Sequence, residues 1–144
     1  MKTKKFDLKR VEYMPKELEN GILYVAEEFG AAAHLCACGC GEKIRTPLGP
    51  TEWRLEVSRQ GPSLTPSIGN WQKPCRSHYW IRHGIVAWAS EWTEKQVLAG
   101  RSAEEERRRA YYEDKEIEKD AEKEVKMGFW HAAWEALRSL FNGK

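Results

Sequence analysis

Ser77-His-Tyr-Trp-Ile-Arg-His-Gly-Ile-Val-Ala-Trp88 decides the fold. Two apolar runs, Ser77–Ile81 and Ile85–Trp88, flank Arg82-His83-Gly84. A glycine turn between two such runs predicts a tight β-hairpin, with Gly84 free to take a positive φ. Upstream, Trp53, Leu55 and Val57 alternate with Arg54 and Glu56, the period-two pattern of a half-buried strand. Gln60-Gly61-Pro62 then marks a turn. Further back, Gly21-Ile-Leu-Tyr-Val-Ala26 reads as a buried strand. Residues 1–90 are therefore expected to form a small, mainly β domain.

Downstream the pattern changes. Residues 101–127 contain no Gly or Pro and are dense in Glu, Lys and Arg, which predicts a solvated helix with pairs such as Glu105–Arg109 and Glu122–Lys126. Gly128 is expected to end it. A second, amphipathic helix should then carry Phe129, Trp130, Ala133, Trp134, Leu137, Leu140 and Phe141 on one broad face. That face suits docking on the domain or on a second copy of the chain, so a homo-oligomer through the C-terminal helix is an expectation. The division is 1–90 and 91–144, α+β overall.

The 144 residues carry 24 Lys+Arg and 22 Asp+Glu, a net charge of +2. Residues 1–90 hold 13 basic and 9 acidic groups and all six prolines. Near neutrality argues against a nucleic-acid binder, and Arg107-Arg-Arg109 is offset by Glu104-Glu-Glu106. No apolar stretch suggests a membrane span, and the basic N-terminus lacks the apolar core of a signal peptide. The expected location is the cytoplasm.

Four cysteines sharpen the reading. Cys36, Cys38 and Cys40 fall within five residues, and Cys75 stands apart. In a reducing compartment such a cluster points to metal ligands. On a strand, residues i, i+2 and i+4 share a face. Gly39 and Gly41 allow the chain to bend around an ion, and Cys75 completes a tetrahedral, closed, structural zinc site. His34 and His78 are substitute ligands within reach in sequence.

A second set is Leu64-Thr-Pro-Ser-Ile-Gly-Asn-Trp71 with Pro74-Cys-Arg-Ser-His-Tyr-Trp-Ile81. A serine hydroxyl is a weak nucleophile until a base takes its proton, and histidine is the usual base. Ser77 and His78 are neighbours but face opposite ways on a strand. Ser67 with His78, or Ser77 with His34, makes better steric sense. Gly69 and Asn70 offer donors for an oxyanion. Asp7 is the only Asp before residue 90, so Glu27 or Glu28 would orient the base, or the site is a dyad. His83 is expected in a solvated turn and His131 on a helix surface. Trp53, Trp71, Trp80 and Trp88 are expected to build the core.

These segments together resemble a bacterial family, the BubE proteins of ubiquitination-like (Bub) operons. The resemblance rests on Gly21–Gly30, Ala33–Gly41, Thr46-Pro47, Pro66–Trp71 and Cys75–Ile81, and covers roughly residues 10–90. Members sit beside genes for ubiquitin-like proteins and their activating and conjugating enzymes. The resemblance implies a serine-type peptidase, deubiquitinase-like, that cleaves ubiquitin-like proteins from conjugates or precursors. Its partners would be the ubiquitin-like protein, its conjugates and the activating and conjugating enzymes. Two other readings compete: a non-catalytic zinc module that binds such a protein or its conjugating enzymes, and a zinc-dependent hydrolase with an open metal site.

Overall fold

The computed structural model describes residues 1–141, with side-chain surroundings as far as Ser139. Two compact units result, Met1–Leu98 and the chain from Ala99 onward.

The first unit holds two four-stranded sheets. Strands β1 (Asp7–Arg10), β2 (Ile22–Ala26), β3 (Ala31–Leu35) and β4 (Lys43–Pro47) lie in that order, β1 parallel to β2 and the rest antiparallel. Strands β5 (Arg54–Ser58), β6 (Gly61–Gly69), β7 (His78–Arg82) and β8 (Ile85–Trp88) form an antiparallel meander. One core draws on both sheets: Leu23, Val25, Ala32 and Ile44 from the first, and Leu64, Ile68, Tyr79, Ile81 and Val86 from the second. Phe6, fully buried, joins them. Its N–H donates to the Gly84 carbonyl at 2.7 Å, and Val86 N–H donates to Lys4 at 2.9 Å. The segment before β1 thus ties the sheets together.

The β7–β8 hairpin forms as the sequence predicts. His83 and Gly84 both take positive φ, 51° and 78°, the two-residue turn whose twist suits a hairpin. Four buried residues in a row on β2, Leu23 to Ala26, match the unbroken apolar run. β5 is more open than its alternation suggests, because it is an edge strand: Leu55 is half-buried and Val57 is exposed. Of the tryptophans expected in the core, Trp53 packs against it, whereas Trp71, Trp80 and Trp88 do not join it. Trp53, Trp71 and Trp80 are half-buried and Trp88 is exposed.

One helix, α1 (Glu94–Phe141), replaces the two expected. Thr93 Oγ1 accepts from Gln96 N–H at 3.3 Å, and Gln96 Oε1 accepts from Thr93 N–H at 2.9 Å, a reciprocal cap that fixes its start. Gly128 does not end it. A lone helical glycine costs only about 1 kcal/mol against alanine, too little to break a chain with good formers on both sides. The charge pairs along it include Glu104–Arg108, Lys115–Glu118 and Asp120–Lys123. Phe129, Trp130, Trp134 and Leu137 are exposed and Ala133 is half-buried. Leu140 and Phe141 of the expected apolar face lie outside the described side chains. No described helix is long and apolar enough to cross a membrane.

Candidate functional site

The four cysteines converge, but not along a strand. β3 ends at Leu35, and residues 36–42 turn. Gly39 N–H closes the turn on the Cys36 carbonyl at 3.0 Å, and Cys36 N–H reaches Glu42 at 2.8 Å. Gly39 and Gly41 take φ of 84° and 83°, which only glycine adopts readily. Cys75 arrives from the loop before β7. All four sulfurs lie within 4.8 Å of one another. A tetrahedral zinc with bonds of about 2.3 Å sets its sulfurs about 3.8 Å apart. Cys36 Sγ lies 3.3 Å from Cys38 Sγ and 4.0 Å from Cys75 Sγ, close to that spacing.

The electrostatics agree. Burial pushes the Cys36 thiol up, and burial with the Cys40 and Cys36 thiols pushes Cys38 up to about 12. At Cys75 burial also acts upward, but hydrogen bonds from the Ser77 hydroxyl and N–H, then from Cys38 and Cys40, prevail and lower it to about 7. Four packed thiols cannot all ionise unaided; a cation among them removes that penalty. The set can hold a metal ion, and all four positions of a tetrahedron are met without His34 or His78.

Ser77 and Asn70 belong to this cluster. Ser77 Oγ is 3.1 Å from Cys36 Sγ and 3.5 Å from Cys75 Sγ. Asn70 Nδ2 donates to Ser77 Oγ at 2.8 Å and to Cys36 Sγ at 3.5 Å, while its backbone N–H donates to the Ser77 carbonyl at 2.9 Å. The donors expected to serve an oxyanion from Asn70 are therefore engaged beside the thiols. The described hydrogen bonds of Ser77 include no histidine.

The structure brings Ser67 to His78. Gly69 pairs with His78 across β6 and β7, and Ser67, two residues from Gly69, shares that face. Ser67 Oγ lies 2.9 Å from His78 Nε2. The other ring nitrogen, Nδ1, faces the Ser90 carbonyl at 3.4 Å. A carbonyl only accepts, so Nδ1 carries the proton and Nε2 is left to accept the Ser67 O–H. A main-chain carbonyl thus stands where a carboxylate usually orients the base. The expected alternatives are elsewhere: Glu27 is paired with Arg10 at 2.8 Å, and Glu28 is exposed.

Aromatic rings enclose the imidazole. Trp71, Trp92 and Trp80 have ring centroids 4.8, 5.0 and 5.4 Å from His78. Trp71 and Trp92 stack on each other at 5.6 Å. His78 is 5% exposed, whereas Ser67 stays half-open. The register with β7 shifts between Leu64 and Ile68, the stretch that carries Ser67, and such an irregularity re-aims side chains.

His34 is placed with Tyr79. Its Nε2 is 2.9 Å from the Tyr79 hydroxyl, and both residues are fully buried. Burial lowers His34 to about 3, so the ring is neutral, and its Nδ1 has no partner. Ser90 and Trp92 were not legible as site residues. Ser90-Glu91-Trp92 carries no motif that points to chemistry.

A model of the family described as bacterial ubiquitination-like system serine protease (BubE) matches residues 10–89. Ser67, His78 and all four cysteines lie inside that span; Ser90 and Trp92 lie just beyond it. No curated protein and no solved structure matches the chain significantly.

Proposed function

Because the chain belongs to the family of bacterial ubiquitination-like system serine proteases (BubE), we propose that it cleaves ubiquitin-like proteins from conjugates or precursors, with Ser67 as nucleophile and His78 as base. The observation that carries this reading is the 2.9 Å contact from Ser67 Oγ to a His78 Nε2 left bare by the carbonyl at Nδ1. In the reaction, Ser67 Oγ attacks the scissile carbonyl carbon as its proton passes to His78 Nε2. The tetrahedral oxyanion is held by main-chain N–H groups, for which Gly69, two residues from Ser67, is a candidate. Collapse breaks the C–N bond, and His78 returns the proton to the leaving amine. Water, deprotonated by His78, then hydrolyses the ester and frees Ser67.

The metal that Cys36, Cys38, Cys40 and Cys75 would hold is zinc on this reading, in a closed, structural site. Bound there, it would cross-link the loop after β3 to the loop before β7 and stabilise a small core. Ser77 is then a second-sphere group that donates to thiolate sulfur, as such partners commonly do. The partners are the ubiquitin-like protein with its conjugates, in the bacterial cytoplasm where thiols stay reduced.

The test uses the metal-loaded protein and a fluorophosphonate probe, read by intact mass and peptide mapping. We expect one stoichiometric adduct on Ser67, lost in Ser67→Ala and His78→Ala and kept in Ser77→Ala. An adduct on Ser77, or none on the folded protein, overturns the assignment. Cleavage of a ubiquitin-like protein carrying a C-terminal extension should follow the same pattern.

A further inference from the structure

From Ala99 to Ser139 no described residue of α1 is buried, and only Gly100, Glu104, Tyr111 and Ala133 are half-buried. A helix in a protein draws most of its stability from a packed apolar face. Residues 101–126 suit water, since charge is dense there. The last turns do not. Met127, Trp130, Trp134 and Leu137 recur at steps of three, four and three residues, the a and d rhythm of a helix that packs on another helix. All four are exposed, Trp130 by 71% and Trp134 by 68%. At ~250 Å² for an indole, these two alone lay bare about 350 Å², as much as the largest apolar patch of many soluble monomers. Phe129, edge-on to Trp130 with ring centroids 6.1 Å apart, widens the face. With Met127 and Leu137 it approaches the roughly 800 Å² that each partner buries in a standard interface.

We propose that this face pairs with the same face of a second copy of the chain, the two segments running antiparallel about a twofold axis. The inference stands independently of the serine–histidine reading. In this arrangement Trp130 lies against the partner's Trp134, and Met127 against the partner's Leu137, each contact made twice. The flanking charges match. Glu124 and Arg138 are two heptads apart, so they share one flank of the seam. Among the described ion pairs neither has a partner on its own helix. The register that sets tryptophan on tryptophan brings Glu124 beside the partner's Arg138 at both ends.

A parallel pair fits worse. The a and d rhythm continued upstream reaches Lys123, Asp120 and Glu116, and a parallel pair would set each against its own copy. Like charges so placed repel. Antiparallel segments let each charged stretch run past the partner's end. A lipid surface also fits worse. The polar side of the segment offers Lys126, His131 and Arg138 but also Glu135, too few cations to hold an anionic bilayer.

The test is sedimentation equilibrium of the metal-loaded full chain, with circular dichroism and chelator-released metal as controls for folding. We expect a reversible dimer of twice the 16.7 kDa chain mass, dissociating in the micromolar range. Trp134→Glu should leave a folded monomer. Glu124→Arg and Arg138→Glu should each weaken the dimer roughly 10-fold, and the two together in one chain should restore most of that loss. A monomer at about 100 μM, or a dimer indifferent to Trp134→Glu, overturns the proposal. Two weakening single variants with no restoration in the double variant overturn the antiparallel register, because in a parallel pair Glu124 faces the partner's Lys119 instead. A monomer that co-floats with phosphatidylcholine–phosphatidylglycerol vesicles assigns the face to a membrane and overturns the dimer.

Discussion

Tyr79→Phe removes one oxygen and should be among the costlier conservative changes in the protein. Tyr79 and His34 are both fully buried, with the hydroxyl 2.9 Å from Nε2. The same oxygen accepts from Ala37 N–H at 3.4 Å. His34 Nδ1 is already without a partner, so the change leaves the imidazole with none. An unsatisfied buried polar group costs ~1–3 kcal/mol. With the weaker loss at Ala37, a total of about 3 kcal/mol is expected. His34→Leu should cost about 1–2 kcal/mol, because the tyrosine keeps its Ala37 contact. The double variant His34→Leu/Tyr79→Phe removes both partners and should fall well short of the sum, with a coupling of roughly 1–2 kcal/mol.

Urea unfolding in zinc-replete buffer at neutral pH, followed by tryptophan fluorescence, measures all four proteins. A loss under 0.5 kcal/mol for Tyr79→Phe, or strict additivity in the double variant, refutes the claim that the pair is one buried unit. Fluorophosphonate labelling per folded molecule adds the functional arm. It should persist in His34→Leu and vanish in His78→Ala. Loss of labelling in folded His34→Leu would make His34, not His78, the residue the serine needs.

Chelation should release one zinc per chain, and Cys36→Ser or Cys75→Ser should prevent uptake; metal release read with a colorimetric chelator and the melting temperature checks both. Asn70→Ala deletes donors to Ser77 and Cys36 and should cost about 2 kcal/mol in the same urea assay, given ~1 kcal/mol for each buried bond. Gly39→Ala places a Cβ 2.5 Å from the Met1 carbonyl at a φ of 84°, so a melting temperature lower by several degrees is expected. Trp130→Ala and Trp134→Ala change exposed helix residues and should leave both the Ser67 labelling rate and unfolding of the first unit within about 0.5 kcal/mol of the parent.

Much of this was legible where one residue type answers to one local rule. The β7–β8 hairpin was readable because a two-residue turn demands positive φ and Gly84 supplies it. The cysteine set was readable from composition, although the strand geometry assigned to it was wrong: Gly39 and Gly41 turn the chain where alternation would have kept it straight. That neighbours on a strand face apart left two pairings, Ser67 with His78 and Ser77 with His34, and the choice between them is tertiary: His34 is turned to Tyr79. β3 was hidden because Ala31-Ala-Ala-His-Leu35 has no alternation; Ala32 and Ala33 are buried in a strand between β2 and β4, which is a tertiary fact. Ser90 meets His78 through its carbonyl, and a carbonyl leaves no mark in a sequence. Gly128 misled because a glycine's cost is small beside the helix propensity around it.

The thiol cluster and the serine–histidine pair lie against opposite faces of β6 and β7 and the residues that flank them. Ile68, Asn70, Ser77 and Tyr79 turn to the core and the thiols; Ser67, Gly69, His78 and Trp80 turn to the aromatic side. A slip of one residue between β6 and β7 would exchange these sets. Asn70 resists it, because its side chain is bonded to Ser77 and Cys36 and its N–H to the Ser77 carbonyl. Ser77 in turn is held against Cys36 and Cys75. A metal held among the thiols would therefore fix the register next to His78, and that register sets the 2.9 Å separation from Ser67. If this is the coupling, a cluster variant that remains folded should lose Ser67 labelling in proportion to lost register. Amide exchange at Ile68 and Asn70, whose bonds cross to β7, should rise in the same variant. Labelling that falls while both amides stay protected would mean the cluster acts on the serine by another route.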